Sequence, residues 1–283
     1  MSEIYLVEYV SENKYEELVA QAIFEYLVFP CADQTQTVLN YSIKPSFPCE
    51  PFLRKNAFGF QTIVMRPKEG FKDFTFIFQS KVQKHVFPES SEPELYSLED
   101  QLEIIASKSF FIDNHLYLSR SPLTTLSSKH SKLILKYRKG TGLVNFFDQL
   151  NAYIYSILSY EKDLTTVEST ANEVIELGKG VCQDYVHLFI AMARANKFPC
   201  RYVSGYLNQG NNYVGSAMLH AWAEVFIPGN GWMGYDPANN IRVGSHHIKI
   251  SHGRDYRDCS PIKGVILSNG ANTTSHQVKV EQQ

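Results

Sequence analysis

Three residues stand in an order that suits thiol chemistry: Cys182, His220 and Asp236. Cys182 follows Gly178-Lys179-Gly180-Val181 and opens an apolar run from Tyr185, so a glycine-rich turn becomes a helix at or beside the thiol. A thiol at a helix N-terminus sits in the positive end of the macrodipole, which favours thiolate. The unpaired backbone N–H groups of the same helix start, that of Cys182 included, can stabilise the oxyanion formed when thiolate attacks an acyl carbon. Gly178 and Gly180 are expected to let the backbone turn tightly and to leave room for a substrate. Asp184 would oppose thiolate formation if aimed at the sulfur, and is expected to cap the helix instead.

The histidine and the acid depend on strand register. His220, Trp222, Glu224 and Phe226 alternate with Ala221, Ala223, Val225 and Ile227, so the two sets face opposite sides of a strand. Pro228-Gly229-Asn230-Gly231 turns the chain into a second strand, Trp232 to Asp236. If Phe226 pairs with Trp232, Asp236 is a same-face diagonal neighbour of His220, within carboxylate-to-imidazole reach. A one-residue slip, pairing Phe226 with Met233, turns Asp236 to the other face. In the first register His220 serves as general base towards Cys182, and Asp236 fixes its tautomer and favours imidazolium. Each residue alone has an ordinary reading: cysteine is common in cores, a strand histidine is usually a satisfied polar group, and Asp-Pro ends strands. Their joint occurrence points to a thiol enzyme.

The elements that must position them are legible in the periodicity. Phe146, Phe147, Leu150, Tyr153, Ile154, Ile157 and Leu158 fall on one helical face running to about Tyr160. Thr170-Ala171-Asn172-Glu173 has the form of a capping box before Val174, Ile175 and Leu177, with Gly178 as a left-handed stop. The cysteine helix runs to about Asn196 and is apolar on so broad a surface that it must be mostly buried. Beyond it the period becomes two: Cys200 to Tyr206 and Leu219 to Ile227 read as strands around a glycine- and asparagine-rich loop, Asn208 to Gly215, and Asn208 to Ala217 can form a mobile rim, though such a loop needs no function to explain it. Helices followed by antiparallel strands make this part α+β.

At 283 residues two domains are expected, with a sizeable core. Residues 1–115 read as a β-rich domain, best seen at Ile4 to Val10 and Asp73 to Phe78, while Tyr15 to Val28 fits either period and is read as strand. The pattern weakens from Glu89 to His130; the linker is placed at 116–140, and the catalytic core with a C-terminal tail at 141–283. With 27 Lys and Arg against 29 acidic residues and no basic stripe, neither nucleic acid nor an anionic membrane is an expected partner. No run approaches the ~18 apolar residues of a membrane span, and Met1-Ser2-Glu3-Ile4 opens without a basic or long apolar leader, so a cytoplasmic location is expected. The five cysteines have no metal-like or disulfide-like spacing. His246, His247, His252 and Cys259 are ligand types, but adjacent histidines rarely chelate one ion together, and no metal or cofactor is expected. Trp222, Trp232, Tyr202, Tyr206, Tyr213 and Tyr235 can line a peptide groove, though such aromatics more often pack beside a sheet.

The run Gly178-Lys-Gly-Val-Cys182-Gln-Asp-Tyr-Val-His-Leu-Phe-Ile-Ala-Met-Ala-Arg, then Pro199-Cys-Arg-Tyr-Val-Ser-Gly205-Tyr, His220-Ala-Trp-Ala-Glu224-Val and Gly231-Trp-Met-Gly-Tyr-Asp236-Pro-Ala-Asn239, resembles the bacterial transglutaminase-like cysteine hydrolases. The resemblance covers about residues 140 to 265, with Gly253-Arg-Asp-Tyr256 and Pro261-Ile-Lys-Gly264 similar to that group's closing segment, and the N-terminal third is similar to the β-rich, sandwich-like domain that precedes the core. It implies a papain-like α+β core, a Cys182, His220, Asp236 triad, and acyl transfer from an amide or peptide bond through a thioester. Gln183 stands where animal transglutaminases carry tryptophan, and no acidic calcium loop is present, so a cysteine protease or amidase acting on a protein or peptide is expected ahead of a transamidase. A binding protein that keeps the fold without turnover is the remaining alternative.

Overall fold

The computed structural model describes residues 2–85, 96–208, 213–215 and 217–283. The chain opens with strands β1 (Ser2–Val19), β2 (Gln21–Tyr26), β3 (Gln36–Pro45), β4 (Phe52–Lys55), β5 (Gln61–Met65) and β6 (Phe71–His85). Helices α1 (Leu98–Ala106) and α2 (Lys108–Leu118) follow, then short 3-10 turns at Pro122–Thr124 and Ser128–Leu133. The core runs α3 (Leu143–Ile157), β7 (Ser159–Tyr160), α4 (Ala171–Leu177), β8 (Lys179–Gly180), α5 (Cys182–Ala195), β9 (Cys200–Leu207), β10 (His220–Ile227), β11 (Gly231–Asp236), β12 (Ile241–Arg242), β13 (His247–Gly253) and α6 (Tyr256–Cys259). Strands β14 (Ile262–Leu267) and β15 (Asn272–Gln282) end it.

Alternation in the first strands produces a sandwich. Tyr5, Val7 and Tyr9 of β1 and Phe74, Phe76 and Phe78 of β6 point inward and are buried, while their sequence neighbours face out. Two four-stranded sheets, ordered β15-β1-β6-β3 and β14-β2-β5-β4, share one core, closed by ring pairs such as Tyr26 on Phe76 at 4.0 Å and Phe24 on Phe74 at 5.0 Å.

The segment read as a tail of the core therefore returns to the N-terminal sheets. β15 pairs antiparallel with β1 from Tyr5↔Gln282 to Tyr15↔Asn272, and β14 pairs with β2. Such pairing is invisible to local periodicity, because it spans nearly the whole chain. The stretch read as irregular also holds two helices. Ser97 and Asp100 form a reciprocal capping box for α1, and Leu98, Leu102 and Ile105 pack on the core at helical spacing. The polar flanks of that short helix hid its period.

In the core, a five-stranded sheet ordered β12-β11-β10-β9-β13 is shared between two hydrophobic clusters. Ala221, Ala223, Val225 and Ile227 of β10 pack with α5, while Tyr206, Ile248 and Ile250 belong to the sandwich core. Small residues on β10 let α5 lie close, and every residue of α5 from Cys182 to Arg194 is buried. A fully buried Phe189 or Leu188 is worth roughly 1.5–3 kcal/mol each, which anchors the helix that carries the thiol. Its far end is fixed by Arg194, whose guanidinium donates to the carbonyls of Tyr117, Cys200 and Arg254 and to Thr124 Oγ1.

Candidate active site

The turn before the cysteine is built by two glycines with different tasks. Gly178 ends α4 in the left-handed conformation, φ 67°, where any other residue is strained. Gly180 was read as leaving room for a substrate, but the room is taken by Asp184: a Cβ on Gly180 would lie 2.5 Å from Asp184 Oδ2. That oxygen accepts from the Val181 N–H and from Thr165 Oγ1, each at 2.7 Å, so Asp184 caps α5 as expected. Burial raises the Asp184 carboxyl above its ordinary value, and these hydrogen bonds oppose that rise. Cys182, the first residue of α5, is 8 % exposed, and its N–H and that of Gln183 have no acceptor within the helix.

The pairing of β10 with β11 has Phe226 opposite Trp232 and Ala223 opposite Tyr235, the register that puts Asp236 beside His220. His220 Nε2 and Asp236 Oδ2 are 2.7 Å apart, both side chains fully inaccessible. Burial by itself lowers the imidazole's basicity; the Asp236 charge and hydrogen bond outweigh it, with a further contribution from Cys182, and raise the pKa to about 10. Asp236 moves the other way: burial raises it, but His220 and then His247 hold it far below the usual carboxylate range. His220 Nδ1 is buried without a hydrogen-bond partner among the described residues, and is the ring nitrogen left for the thiol of Cys182, with which His220 shares a cavity.

Several contributors were not anticipated. Asp236 Oδ2 also accepts from Asn239 Nδ2 at 2.8 Å and from His247 Nε2 at 3.2 Å, while Oδ1 accepts the N–H groups of Ala238 and Asn239. His247 Nδ1 lies 3.4 Å from the Gly244 N–H, which assigns the proton to Nε2 and makes His247 a neutral donor to Asp236. Burial, the largest influence on it, lowers its basicity further. Gly215, φ 82°, abuts His220: a Cβ there would sit 2.6 Å from His220 Nδ1. Tyr160 is pinned opposite Gly180 by the parallel β7–β8 pair, two residues ahead of the thiol. Asn239 and the Gly-Asn loop were visible in the sequence, but nothing local showed which side chain they approach. Residues 209–212 and 216 of the expected rim lie outside the described residues.

The remaining candidates take structural places. Of the six aromatics considered for a groove, only Tyr202 lines the cavity. Trp222 packs edge-on to His247, and Trp232 lies under the Arg201 guanidinium, 3.9 Å from its ring. His252, pushed down to about 3 chiefly by burial, sits beside Arg201, and Cys259 donates to the Tyr202 carbonyl. Among the described residues the one cluster of metal-ligand types is His220, Asp236 and His247. The 2.7 Å between His220 Nε2 and Asp236 Oδ2 is a hydrogen-bond distance; ligands about 2.0–2.1 Å from a tetrahedral zinc stand wider apart. At the other thiols thiolate is disfavoured: burial, the largest cause in each case, pushes Cys31, Cys200 and Cys259 up to about 12 and raises Cys49.

The cavity holds about 470 Å³ and lies between the start of α5, with the Tyr160–Val167 segment, and the strand wall of Tyr202 and His220. His276 of β15 reaches it from the sandwich, its Nδ1 2.7 Å from the Tyr9 hydroxyl. An exposed ion pair links Glu168 and Arg257, the sequence neighbours of the lining residues Val167 and Tyr256. Among the described residues no helix is long and apolar enough to cross a membrane.

Residues 137–237 match the model of the transglutaminase-like superfamily. An uncharacterized protein of Mycobacterium tuberculosis is 37% identical over 140 residues, covering 46% of this chain and 45% of that protein. One from Mycobacterium leprae is 34% identical over 129 residues, covering 44% and 46%. The chain thus spans under half the length of the curated relatives it matches. The solved structure of a candidate cysteine protease from Cytophaga hutchinsonii superposes with a TM-score of 0.78 at 21% identity, covering 100% of this chain and 91% of that one, which shows a common fold along the whole length. It is over residues 137–237 that the sequence is similar to the transglutaminase-like superfamily.

Proposed function

We propose that the protein is a thiol hydrolase that cleaves amide or peptide bonds through a thioester at Cys182. The observation that carries this reading is the buried His220–Asp236 pair, which holds an imidazolium whose free nitrogen adjoins the thiol at the start of α5. The attacking form is the thiolate of Cys182, with the sulfhydryl proton carried by His220. The thiolate lone pair forms a C–S bond to the amide carbon while the carbonyl pair moves onto oxygen, where the N–H groups of Cys182 and Gln183 are free to receive it. Collapse breaks the C–N bond as His220 gives its proton to the leaving nitrogen. Water then adds to the thioester, passing a proton to neutral His220, and the C–S bond breaks to release the acid and restore thiolate and imidazolium. Asp236 holds the ring and stabilises its charge throughout.

Alkylation with iodoacetamide at near-neutral pH, with the adducts mapped by mass spectrometry, tests the nucleophile. Cys182 is expected to label first and to lose that preference in His220→Ala; equally slow labelling at all five cysteines would sink the hydrolase reading and leave a binding protein. A labelled primary amine added with a glutamine-containing protein separates hydrolysis, which releases acid alone, from transamidation, which incorporates the amine.

A further inference from the structure

Resting on the hydrolase reading, we propose that the cleft selects acyl donors bearing a large apolar side chain, aliphatic or aromatic, and discriminates against glutamine. The cavity of about 470 Å³ beside Cys182 accommodates one large side chain together with the peptide groups around the reacting bond. Its apolar surface is supplied in part by Val167, Met218, Leu219, Tyr256 and Pro261. Val167 is 48% and Met218 44% exposed, so apolar surface stands in water next to the nucleophile, where a substrate's apolar group would cover it.

Polar groups that would welcome a carboxamide side chain are mostly engaged. The Thr165 hydroxyl donates to Asp184, the Gln183 amide faces the Thr166 carbonyl, and His276 Nδ1 is paired with Tyr9. The hydroxyls of Tyr160, Tyr202 and Ser204 line the cavity without a protein partner among the described residues, and they match the main-chain carbonyls and N–H groups flanking the scissile bond. With those hydroxyls occupied by substrate backbone, a glutamine side chain in the cavity gives up its water hydrogen bonds without replacement, whereas leucine or phenylalanine loses nothing. At the mouth Lys162 and Asp163 carry opposite charges, so no net field draws a charged side chain.

The test uses equilibrium binding, so it does not depend on turnover. Acetylated, C-terminally amidated alanine pentapeptides with Leu, Phe, Gln or Asp at the centre are titrated calorimetrically into the Cys182→Ser protein. The Leu and Phe peptides are expected to bind about ten- to a hundredfold more tightly than the Gln and Asp peptides. A Val167→Asp, Met218→Asp double variant, altered at exposed positions, is expected to erase that difference. Equal affinities, tightest binding of the Gln peptide, or no binding of any peptide would each overturn the proposal. Alkylation of wild-type Cys182 keeps the two readings apart. Selective labelling without apolar preference defeats the selectivity alone, whereas apolar binding without selective labelling defeats the hydrolase reading.

Discussion

The side chains around Asp236 form a charge system with a definite pH dependence. His220 moves from an ordinary 6.5 to about 10 on folding, so its pairing stabilises fully below about 6.5 and is lost as pH rises through about 10. Asp236 is depressed from 3.8, so its contribution is present above that value and is lost as pH falls further. The stability difference between wild type and His220→Gln is therefore expected to be largest between about pH 4 and 6.5, about 3 kcal/mol, and to shrink towards pH 10. Urea denaturation midpoints at a series of pH values measure it, and a difference that grows with alkalinity would contradict the pairing. His247 supplies a further donor to the same carboxylate. Replacing it by leucine is expected to cost roughly 1.5–3 kcal/mol, with His247→Gln recovering most of the loss because its amide N–H can reach Oδ2.

At the level of elements, two glycines are expected to behave differently. Ala at position 180 drives a Cβ into the Asp184 carboxylate, so the α5 cap must shift, with an expected loss of about 1–3 kcal/mol seen in thermal melts. Ala at position 215 places its Cβ against His220 Nδ1 and is also strained at a φ of 82°. It is expected to cut alkylation of Cys182 by an order of magnitude or more, while far-ultraviolet circular dichroism stays native. Unchanged labelling in Gly215→Ala would show that Nδ1 is not the nitrogen that meets the thiol. The helices and strands of the core were legible because their signals are local: the Thr170 box, the Gly178 stop, the α5 apolar surface and the β10 alternation all fall within a few residues. Helix α1 was missed because its capping acid is Asp rather than Glu and only three positions carry its period.

For the molecule as a whole, a buried charge network ties the central sheet to the sandwich. Glu224 bonds Lys249 Nζ and Arg201, while the Lys249 N–H and carbonyl meet the side chain of Gln36, the first residue of β3. Burial alone would raise Glu224, but Lys249 and Arg201 outweigh it and lower it from 4.5 to about 2. Its contribution is thus present above about 4.5 and is lost as pH falls through about 2. Glu224→Gln leaves two buried cations unpaired and is expected to cost about 3–5 kcal/mol at neutral pH, a gap that narrows on acidification below 4.5; denaturant titrations at pH 7 and pH 3 check it.

The amino-acid order by itself determined which residues are candidates for the chemistry, where the α5 helix begins, and that one strand register would bring His220 and Asp236 to a common face. Those features are written in near neighbours, whose spacing fixes faces and caps. The tertiary structure decided that this register is the one formed. It also brought His247, Gly215 and Tyr160 to the same few ångströms, and returned β15 to pair with β1 so that His276 lines the cleft. The pairing of β15 with β1 joins residues hundreds of positions apart, and even the nearer contacts of Gly215 and His247 depend on how the elements pack on one sheet, which no local pattern records.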